Sequence, residues 1–216
     1  MGTDLLRVLV VDDHQMFAES VARILGDEAD LEVVGIVGNA ADARAAAASA
    51  QPDVVLLDFG LPDLDGATTA RLLRDEHPST QIVMLTGQID DGVFAAALEA
   101  GCVGVVTKDK ASSELLSAVR AAGAGELAIP PATLARLLPI LRRDGQGAKP
   151  QLTAREHEVL ELLAEGASTA TIAQRLVVSP HTVRNHVQRI LVKLEVHSKL
   201  EAVAVALRLG LVDKPQ

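Results

Sequence analysis

The chain has 216 residues, of which 49% are hydrophobic and 23% are charged. This composition is typical of a soluble globular protein with two modest domains, and no apolar run approaches the roughly 20 residues that a membrane-spanning helix needs. The net charge of −9 is segregated: residues 1–125 carry 20 acids against 8 Lys and Arg, whereas residues 126–216 carry 9 against 12, so we expect the first half to handle cations and the second to meet a polyanion.

Short apolar runs alternate with Ala-rich amphipathic segments through the first half of the chain. The runs lie at 5–11, 31–37, 54–57, 82–85 and 103–106. Strands that are buried on both faces and separated by helices predict a parallel sheet that is covered on each side. We therefore expect residues 1–125 to form an α/β domain with a doubly wound, five-stranded parallel sheet.

Polar residues follow the last apolar position of four predicted strands. Asp12 and Asp13 follow the first strand, Asp58 follows the third, and Thr86 and Lys108 end the fourth and fifth. In an open parallel sheet the functional site lies beyond the carboxyl ends of the strands, where the winding reverses. With the strand order 2-1-3-4-5, the three acids are expected to meet between strands one and three.

The acidic cluster predicts a magnesium site and a phosphoacceptor. Three carboxylates at close range repel one another, and a hard divalent cation with oxygen ligands keeps them ionised together. We expect Mg²⁺ to be held by Asp13, Asp58 and a backbone carbonyl near Gly60, with Asp12 beside them. Asp58 is the expected nucleophile, because a carboxylate can accept a phosphoryl group as an acyl phosphate. Thr86 and Lys108 then suit a hydroxyl donor and a point charge facing the phosphate.

Residues 5–122 resemble the receiver domain of bacterial two-component response regulators. The resemblance rests on an acid pair after the first strand, then "LLDFGLPDLDG", "LTG" and "TKD", in order at the ends of successive strands. It implies a flavodoxin-like fold, phosphorylation of Asp58 by a partner histidine kinase, and Mg²⁺ near Asp12, Asp13 and Asp58. The chain departs from the family at Val105, where an aromatic residue usually stands three positions before the lysine. A stiff, small Val leaves the usual coupled rotation of that ring in doubt.

Residues 126–150 differ from both halves. A short helical pattern at 133–141 is interrupted by Pro139, and the segment that follows is rich in Gly, Arg and Pro. This composition predicts a linker that contains a short helix.

The remaining residues, 151–216, predict four helices with clear boundaries. The expected helix starts are Thr153 with Glu156, Ser168, Ser179 with Pro180, and Ser198 with Glu201. The first and last of these match the capping box, and Ser179 with Pro180 is an N-cap followed by proline at the first helical position. Gly166 and Gly210 follow expected helix ends. The short join between the second and third helices is typical of a helix-turn-helix.

The third helix of this half has an apolar stripe and a polar face. The residues placed to reach base edges in a major groove are His181, Arg184, Asn185 and Gln188, with Thr182 beside them. Arg189 and Lys193 are better placed to contact phosphates. The chain has three Phe and no Tyr or Trp, so it offers no aromatic platform for stacking unpaired bases. We therefore expect duplex DNA as the partner.

Residues 151–206, "LTAREHEVLELLAEGASTATIAQRLVVSPHTVRNHVQRILVKLEVHSKLEAVAVA", resemble the LuxR-type DNA-binding domain. Joined to a receiver, this domain makes the chain similar to the NarL/FixJ class of response regulators. The resemblance implies a homodimer, with a dimer surface on the final helix at Lys199, Ala202, Val203 and Ala206. RNA polymerase is a further candidate contact. Thr171 stands where the family often has an acidic residue.

The expected function is regulatory rather than enzymatic. Phosphate on Asp58 would change dimerisation or domain docking and thereby control sequence-specific DNA binding. A phosphatase of the haloacid-dehalogenase kind usually needs a second Asp two residues after the nucleophile, where Gly60 stands. One alternative stays open, a phosphorylation-independent transcription factor whose degenerate receiver serves dimerisation or ligand sensing. Val105 is its only support in the sequence.

The expected location is the cytoplasm. Residues 1–4 lack a basic region followed by an apolar core and a cleavage site. Cys102 is the single cysteine, so it forms no internal disulfide and no cysteine cluster for zinc.

Overall fold

The computed structural model describes residues 5–87, 91–128, 152–196 and 198–212. The chain divides into two compact units, Met1–Ala128 and Ile129–Gln216. Within the described ranges, no helix combines the length and the apolar character needed to cross a bilayer.

The first unit is built on a five-stranded sheet. Its strands are β1 Leu6–Val11, β2 Leu31–Val37, β3 Val54–Asp58, β4 Gln81–Thr86 and β5 Gly104–Thr107. Every pairing is parallel, and the order β2-β1-β3-β4-β5 confirms the predicted topology. All five residues of the central strand β3 are buried, as expected for a strand covered on both faces.

Five helices cover this sheet. They are α1 Gln15–Gly26, α2 Ala40–Ala50, α3 Gly66–Glu76, α4 Asp91–Glu99 and α5 Ser112–Gly123. Buried side chains of α1 and α5, such as Leu25 and Val119, pack in one core cluster with Val8, Leu56 and Val83 of the strands. This packing fixes the strand ends, and so the loops that follow them.

The first unit extends slightly past the predicted boundary at residue 125. The backbone N–H of Ala128 donates to the carbonyl of Val103 at 2.9 Å, and Ala128 bridges to Gly104 in parallel. Residues 126–128 therefore belong with the sheet. The short helix predicted in the linker lies outside the described residues.

Four helices are described in the second unit: α6 Ala154–Ala164, α7 Thr169–Leu176, α8 Pro180–Leu194 and α9 Lys199–Arg208. The predicted starts are confirmed, because the side chains of Thr153, Ser168, Ser179 and Ser198 each accept a backbone hydrogen bond at the start of their helix. Each of these caps satisfies an N–H that has no partner within its helix. Helices α6, α7 and α9 all contact α8, the third helix of the unit.

Two turns beside α8 use an unfavourable backbone conformation. Val177 follows α7 with a φ of 54°, and Glu195 follows α8 with a φ of 55°. This left-handed region favours glycine and is strained for a β-branched residue.

Candidate functional site

The acids after β1 and β3 meet at the carboxyl edge of the sheet, as predicted. Val11 of β1 pairs with Leu57 of β3, so the residues that follow them are neighbours. The residues Asp12 and Asp58 are only 2% and 4% exposed, whereas the Asp13 side chain is 34% exposed. Two nearly buried carboxylates need a cation to compensate for the lost hydration.

Lys108 supplies a positive charge between these two acids. Its Nζ lies 2.7 Å from Asp12 Oδ2 and 3.0 Å from Asp58 Oδ1. Burial alone would lower the pKa of Lys108, but pairing with Asp12 and Asp58 outweighs burial and raises the pKa above its ordinary value. The Lys108 ammonium also lies over the ring of Phe17, with Nζ 5.0 Å from the ring centroid. The two carboxylates and the aromatic ring therefore both hold the ammonium beside Asp58, the candidate phosphoacceptor.

The loop after Asp58 is held tightly against the strand end. Asp65 caps α3, since its Oδ1 accepts the N–H of Thr68 at 2.9 Å. The N–H of Gly66 donates to the carbonyl of Phe59 at 2.8 Å. A Cβ on Gly66 would lie 2.4 Å from the carbonyl oxygen of Asp58, closer than real Cβ contacts come. The glycine at this position is therefore required by the close approach of α3 to the backbone of Asp58.

A second acid of this loop, Asp63, was missed by sequence reasoning. Its Oδ1 and Oδ2 accept the N–H groups of Ala40 and Ala41 at 2.9 and 3.1 Å, at the first turn of α2. These backbone hydrogen bonds, led by that from Ala40, lower the pKa of Asp63. The contact spans 23 residues, so no local pattern announces it.

His14 was also missed, although it directly follows the acid pair. One ligand atom from each of Asp12, Asp13, His14 and Asp58 falls within 4.8 Å of the others. Asp12 Oδ2 is buried, and the Lys108 ammonium lies 2.7 Å from it. One ammonium does not neutralise three carboxylates, so this carboxylate-rich set fits a divalent cation.

Gly60 lies beside the cluster, as the prediction of a carbonyl ligand requires. The position that a Cβ would take on Gly60 is 3.9 Å from Asp58 Oδ2. Asp58, Gly60, Thr86 and Lys108 line one surface depression. The oxygen of Asp58 that Lys108 does not hold therefore faces the Gly60 side of the site.

The two predicted switch residues are both buried. Thr86 is 5% exposed at the end of β4, and its carbonyl accepts the N–H of Lys108 at 2.8 Å. Val105 is 2% exposed in β5 and pairs with Met84. Thr86 therefore lies at the site, and Val105 is a buried residue of the sheet.

The predicted DNA-reading residues of α8 form an exposed face. His181, Arg184, Asn185, Gln188 and Arg189 are all exposed. The core stripe of the same helix, which includes Val183, Val187 and Ile190, is buried. Thr182 differs, because its N–H and hydroxyl both engage the capping hydroxyl of Ser179. Thr182 therefore helps to begin the helix.

Lys193 lies in an ion pair within the unit. Its Nζ is 2.7 Å from Oε2 of Glu156, whose side chain is 3% exposed. The same Oε2 accepts the N–H of Thr153 at 2.8 Å in the capping box of α6. Burial would raise the pKa of Glu156, but hydrogen bonds from Lys193 and Thr153 outweigh it and lower the pKa. The predicted contact of Lys193 with DNA phosphate would have to compete with this pair.

The expected dimer surface on α9 needs a correction. Ala202, Val203 and Ala206 are 0% exposed, so these side chains are core residues in this structure. Small side chains permit close packing in a core as well as at an interface, and the sequence pattern is the same for both. Lys199 stays partly exposed and donates to Thr169 Oγ1 at 3.4 Å. Dimerisation itself stays a prediction.

Comparison with known families decides the identity of this arrangement. The profile of the "Response regulator receiver domain" matches residues 8–120, and that of "Bacterial regulatory proteins, luxR family" matches residues 150–206. The chain is a two-component response regulator of the NarL/FixJ family. Both resemblances drawn from the sequence, and both fold classes, are thereby confirmed.

Relatives of this response regulator match nearly all of its length. The transcriptional regulatory protein NarL of Mycobacterium tuberculosis is 36% identical over 208 residues, which is 96% of each chain. The transcriptional regulatory protein LiaR of Bacillus subtilis is 33% identical over 97% of this chain and 100% of its own. These relatives are named as regulators of transcription, in agreement with the expected regulatory role.

Solved structures agree with this assignment. The response regulator ChrA of a heme-sensing two-component system aligns over 96% of this chain and 99% of its own, with 29% identity and a TM-score of 0.52. The signal receiver domain of NarL from Mycobacterium tuberculosis aligns over 56% of this chain and 98% of its own, with 32% identity and a TM-score of 0.55.

Proposed function

We propose that this response regulator accepts a phosphoryl group on Asp58 from a histidine kinase, and that this modification controls its binding to duplex DNA. The observation that carries the proposal is the position of Asp58 at the switch point of the sheet, 3.0 Å from the Lys108 ammonium and within the acidic cluster. A nearly buried carboxylate in that setting is suited to accept a group whose negative charge Lys108 can stabilise.

The transfer forms one bond and breaks another. An oxygen of Asp58 bonds to phosphorus as the bond from phosphorus to the donor's imidazole nitrogen breaks, and Asp58 becomes an acyl phosphate. Lys108 holds Oδ1 of Asp58, whereas Oδ2 faces Gly60 and is the oxygen that we expect to attack phosphorus. Asp12, Asp13, Asp58 and the carbonyl of Gly60 would hold Mg²⁺, which when bound neutralises carboxylate and phosphoryl charge. Thr86, which is buried, also lines the depression that contains Asp58.

Labelling with a small phosphodonor tests the acceptor. We expect phosphoramidate and Mg²⁺ to give a base-labile phosphoryl adduct on the full chain, detected by intact-mass spectrometry, and Asp58→Asn to abolish it. Asp63→Asn is the matched control, because Asp63 lies in the same loop but bonds to α2 instead of entering the cluster. Undiminished labelling of Asp58→Asn would remove Asp58 as the acceptor.

The DNA-binding part of the proposal rests on the exposed face of α8. Arg suits guanine, and Asn or Gln suits adenine, in the major groove. With a site selected from genomic fragments, Arg184→Ala should weaken specific binding by about 1–3 kcal/mol. Arg208→Ala is the control, since Arg208 is exposed on α9 instead. Equal preference of Arg184→Ala and the unaltered protein for the selected site would refute base reading by Arg184.

Coupling between phosphorylation of Asp58 and DNA binding separates this proposal from the alternative, a phosphorylation-independent transcription factor. Beryllofluoride, a mimic of the acyl phosphate, should promote a homodimer and tighten DNA binding. Identical sedimentation and DNA affinity with and without beryllofluoride would favour the phosphorylation-independent factor. Val105, which is buried where the family usually has an aromatic residue, is the feature of this chain that favours the same alternative. As a chromosome-binding regulator, the protein would act in the cytoplasm, with RNA polymerase as a further candidate partner.

A further inference from the structure

His14 lies where its imidazole can join the acidic cluster. Its Nδ1 is 2.8 Å from Asp13 Oδ1 and 3.4 Å from Asp12 Oδ1. The backbone N–H of His14 donates to Asp12 Oδ1 at 2.9 Å, which fixes the loop between β1 and α1. The imidazole is 71% exposed, so it has room to turn. It also lines the depression that contains Asp58, Gly60 and Lys108.

The charge balance of this cluster also indicates a cation. The Asp12 side chain is 0% exposed, and Lys108 Nζ lies 2.7 Å from its Oδ2 and 3.0 Å from Asp58 Oδ1. One ammonium therefore faces the carboxylates of Asp12, Asp13 and Asp58, which leaves negative charge uncompensated at a nearly buried site. A divalent cation among these residues would relieve the repulsion between the carboxylates.

The donor set determines which ions the site prefers. Carboxylates, carbonyls and water suit Mg²⁺, whereas neutral imidazole suits borderline ions of the first transition series. A cluster of three carboxylates and one imidazole is therefore a mixed oxygen and nitrogen set. Such a set binds Co²⁺ or Zn²⁺ more tightly than the carboxylates alone would, with little gain for Mg²⁺.

We propose that His14 Nδ1 is a direct ligand of the divalent ion at this site, and that it increases the preference of the site for transition-metal ions over Mg²⁺. The inference rests on the proposed function, which places a cation among Asp12, Asp13 and Asp58. It goes further in assigning a ligand outside the carboxylates and a class of ion. The competing role for His14 is a hydrogen bond to Asp13 without contact with the ion.

Metal titration of the full chain tests the preference. We expect His14→Ala to weaken Co²⁺ binding by about 10-fold or more while changing Mg²⁺ affinity by less than about 2-fold. His14→Gln separates the two roles, because an amide can hydrogen-bond to Asp13 but offers no imidazole nitrogen. It should lose Co²⁺ affinity as His14→Ala does. His77→Ala, at the end of α3, controls for adventitious imidazole binding and should leave both affinities unchanged.

Spectroscopy tests direct ligation. Mn²⁺ bound to the unaltered protein should show ¹⁴N modulation in pulsed electron paramagnetic resonance, and His14→Ala and His14→Gln should lack it. A spectrum without nitrogen coupling, or coupling that persists in His14→Ala, overturns the proposal. If Mg²⁺-dependent labelling of Asp58 continues in that case, only the role of His14 falls. If Asp58→Asn alters neither Mg²⁺ nor Co²⁺ binding, both this inference and the cation part of the proposed function fail.

Discussion

Lys193 and Glu156 form an ion pair, 2.7 Å between Nζ and Oε2, that joins the last turn of α8 to the first turn of α6. Glu156 also closes the capping box with Thr153, so one buried carboxylate serves two helices. Because α8 carries the exposed face that we propose to read DNA, this pair contributes to how that face is presented. Lys193 thus has a structural partner that its position in the sequence does not reveal.

The first prediction distinguishes Lys193, a basic side chain with a structural partner, from Arg189, which we expect to contact DNA phosphate. Arg189→Met should reduce the slope of log K against log salt by about 1, because one phosphate contact is lost. Lys193→Met should leave that slope unchanged but destabilise the second unit by about 1–2 kcal/mol, since the buried Glu156 loses a charge-assisted hydrogen bond. Titrations of DNA binding over a series of salt concentrations measure the slopes. A reduced slope in Lys193→Met would show that this lysine also reaches phosphate.

The second prediction concerns pH. Hydrogen bonds lower the pKa of Glu156 despite its burial, so its ionised form is favoured in the folded state. The stabilisation is therefore fully present above the unfolded-state pKa, about 4.3, and is lost as pH falls through the folded-state value. Glu156→Gln has no proton to gain, so its second unit should show a weaker loss of stability on acidification.

Hydrogen exchange of the α8 amides measures this difference, because the chain has no Trp or Tyr to report unfolding by fluorescence. After division by the intrinsic exchange rate, which itself falls with pH, we expect the protection of these amides to drop more in the unaltered protein than in Glu156→Gln between about pH 5 and about pH 3. An equal drop in protection in both proteins would show that other carboxylates dominate.

The third prediction concerns backbone strain in the turn before α8. Val177 adopts a φ of 54° and is 90% exposed, so burial of its side chain does not offset the cost of the strained backbone conformation. Val177→Asn should stabilise the second unit by about 1 kcal/mol, because Asn tolerates the left-handed region. Val192→Asn is the matched control, since Val192 is 75% exposed on the regular helix α8. A gain in stability of equal size in both variants would attribute the effect to polarity.

The fourth prediction concerns the close contact at Gly66. Gly66→Ala should destabilise the first unit by about 1–3 kcal/mol and reduce labelling of Asp58, because the added Cβ forces the loop away from the Asp58 carbonyl. Gly26→Ala is the control: Gly26 ends α1, and no atom lies within 4 Å of the position of an added Cβ.

Cys102 provides the measurement for this comparison. It is fully buried in the first unit, and burial raises its pKa to about 12. Its alkylation at neutral pH therefore requires opening of the fold. We expect faster alkylation in Gly66→Ala than in the unaltered protein or Gly26→Ala. Equal rates in the two variants would mean that the loop absorbs the added methyl group.

The sequence alone determined the elements and the site that depends on them. Apolar runs predicted the five strands, and capping residues such as Thr153 and Ser179 predicted helix starts. These signals are local, since backbone groups and apolar faces must be satisfied within a few residues. The meeting of Asp12 with Asp58 followed from one further rule, that parallel strands end at the same edge of a sheet.

Only the tertiary structure decided which partner each polar or small residue has. Lys193 was expected at phosphate and is paired with Glu156, 37 residues away. Asp63 reaches α2 across 23 residues, and Ala202, Val203 and Ala206 are buried where an exposed surface was expected. Periodicity along a helix identifies the face that is covered but not what covers it, because the covering atoms come from segments that are distant in the chain.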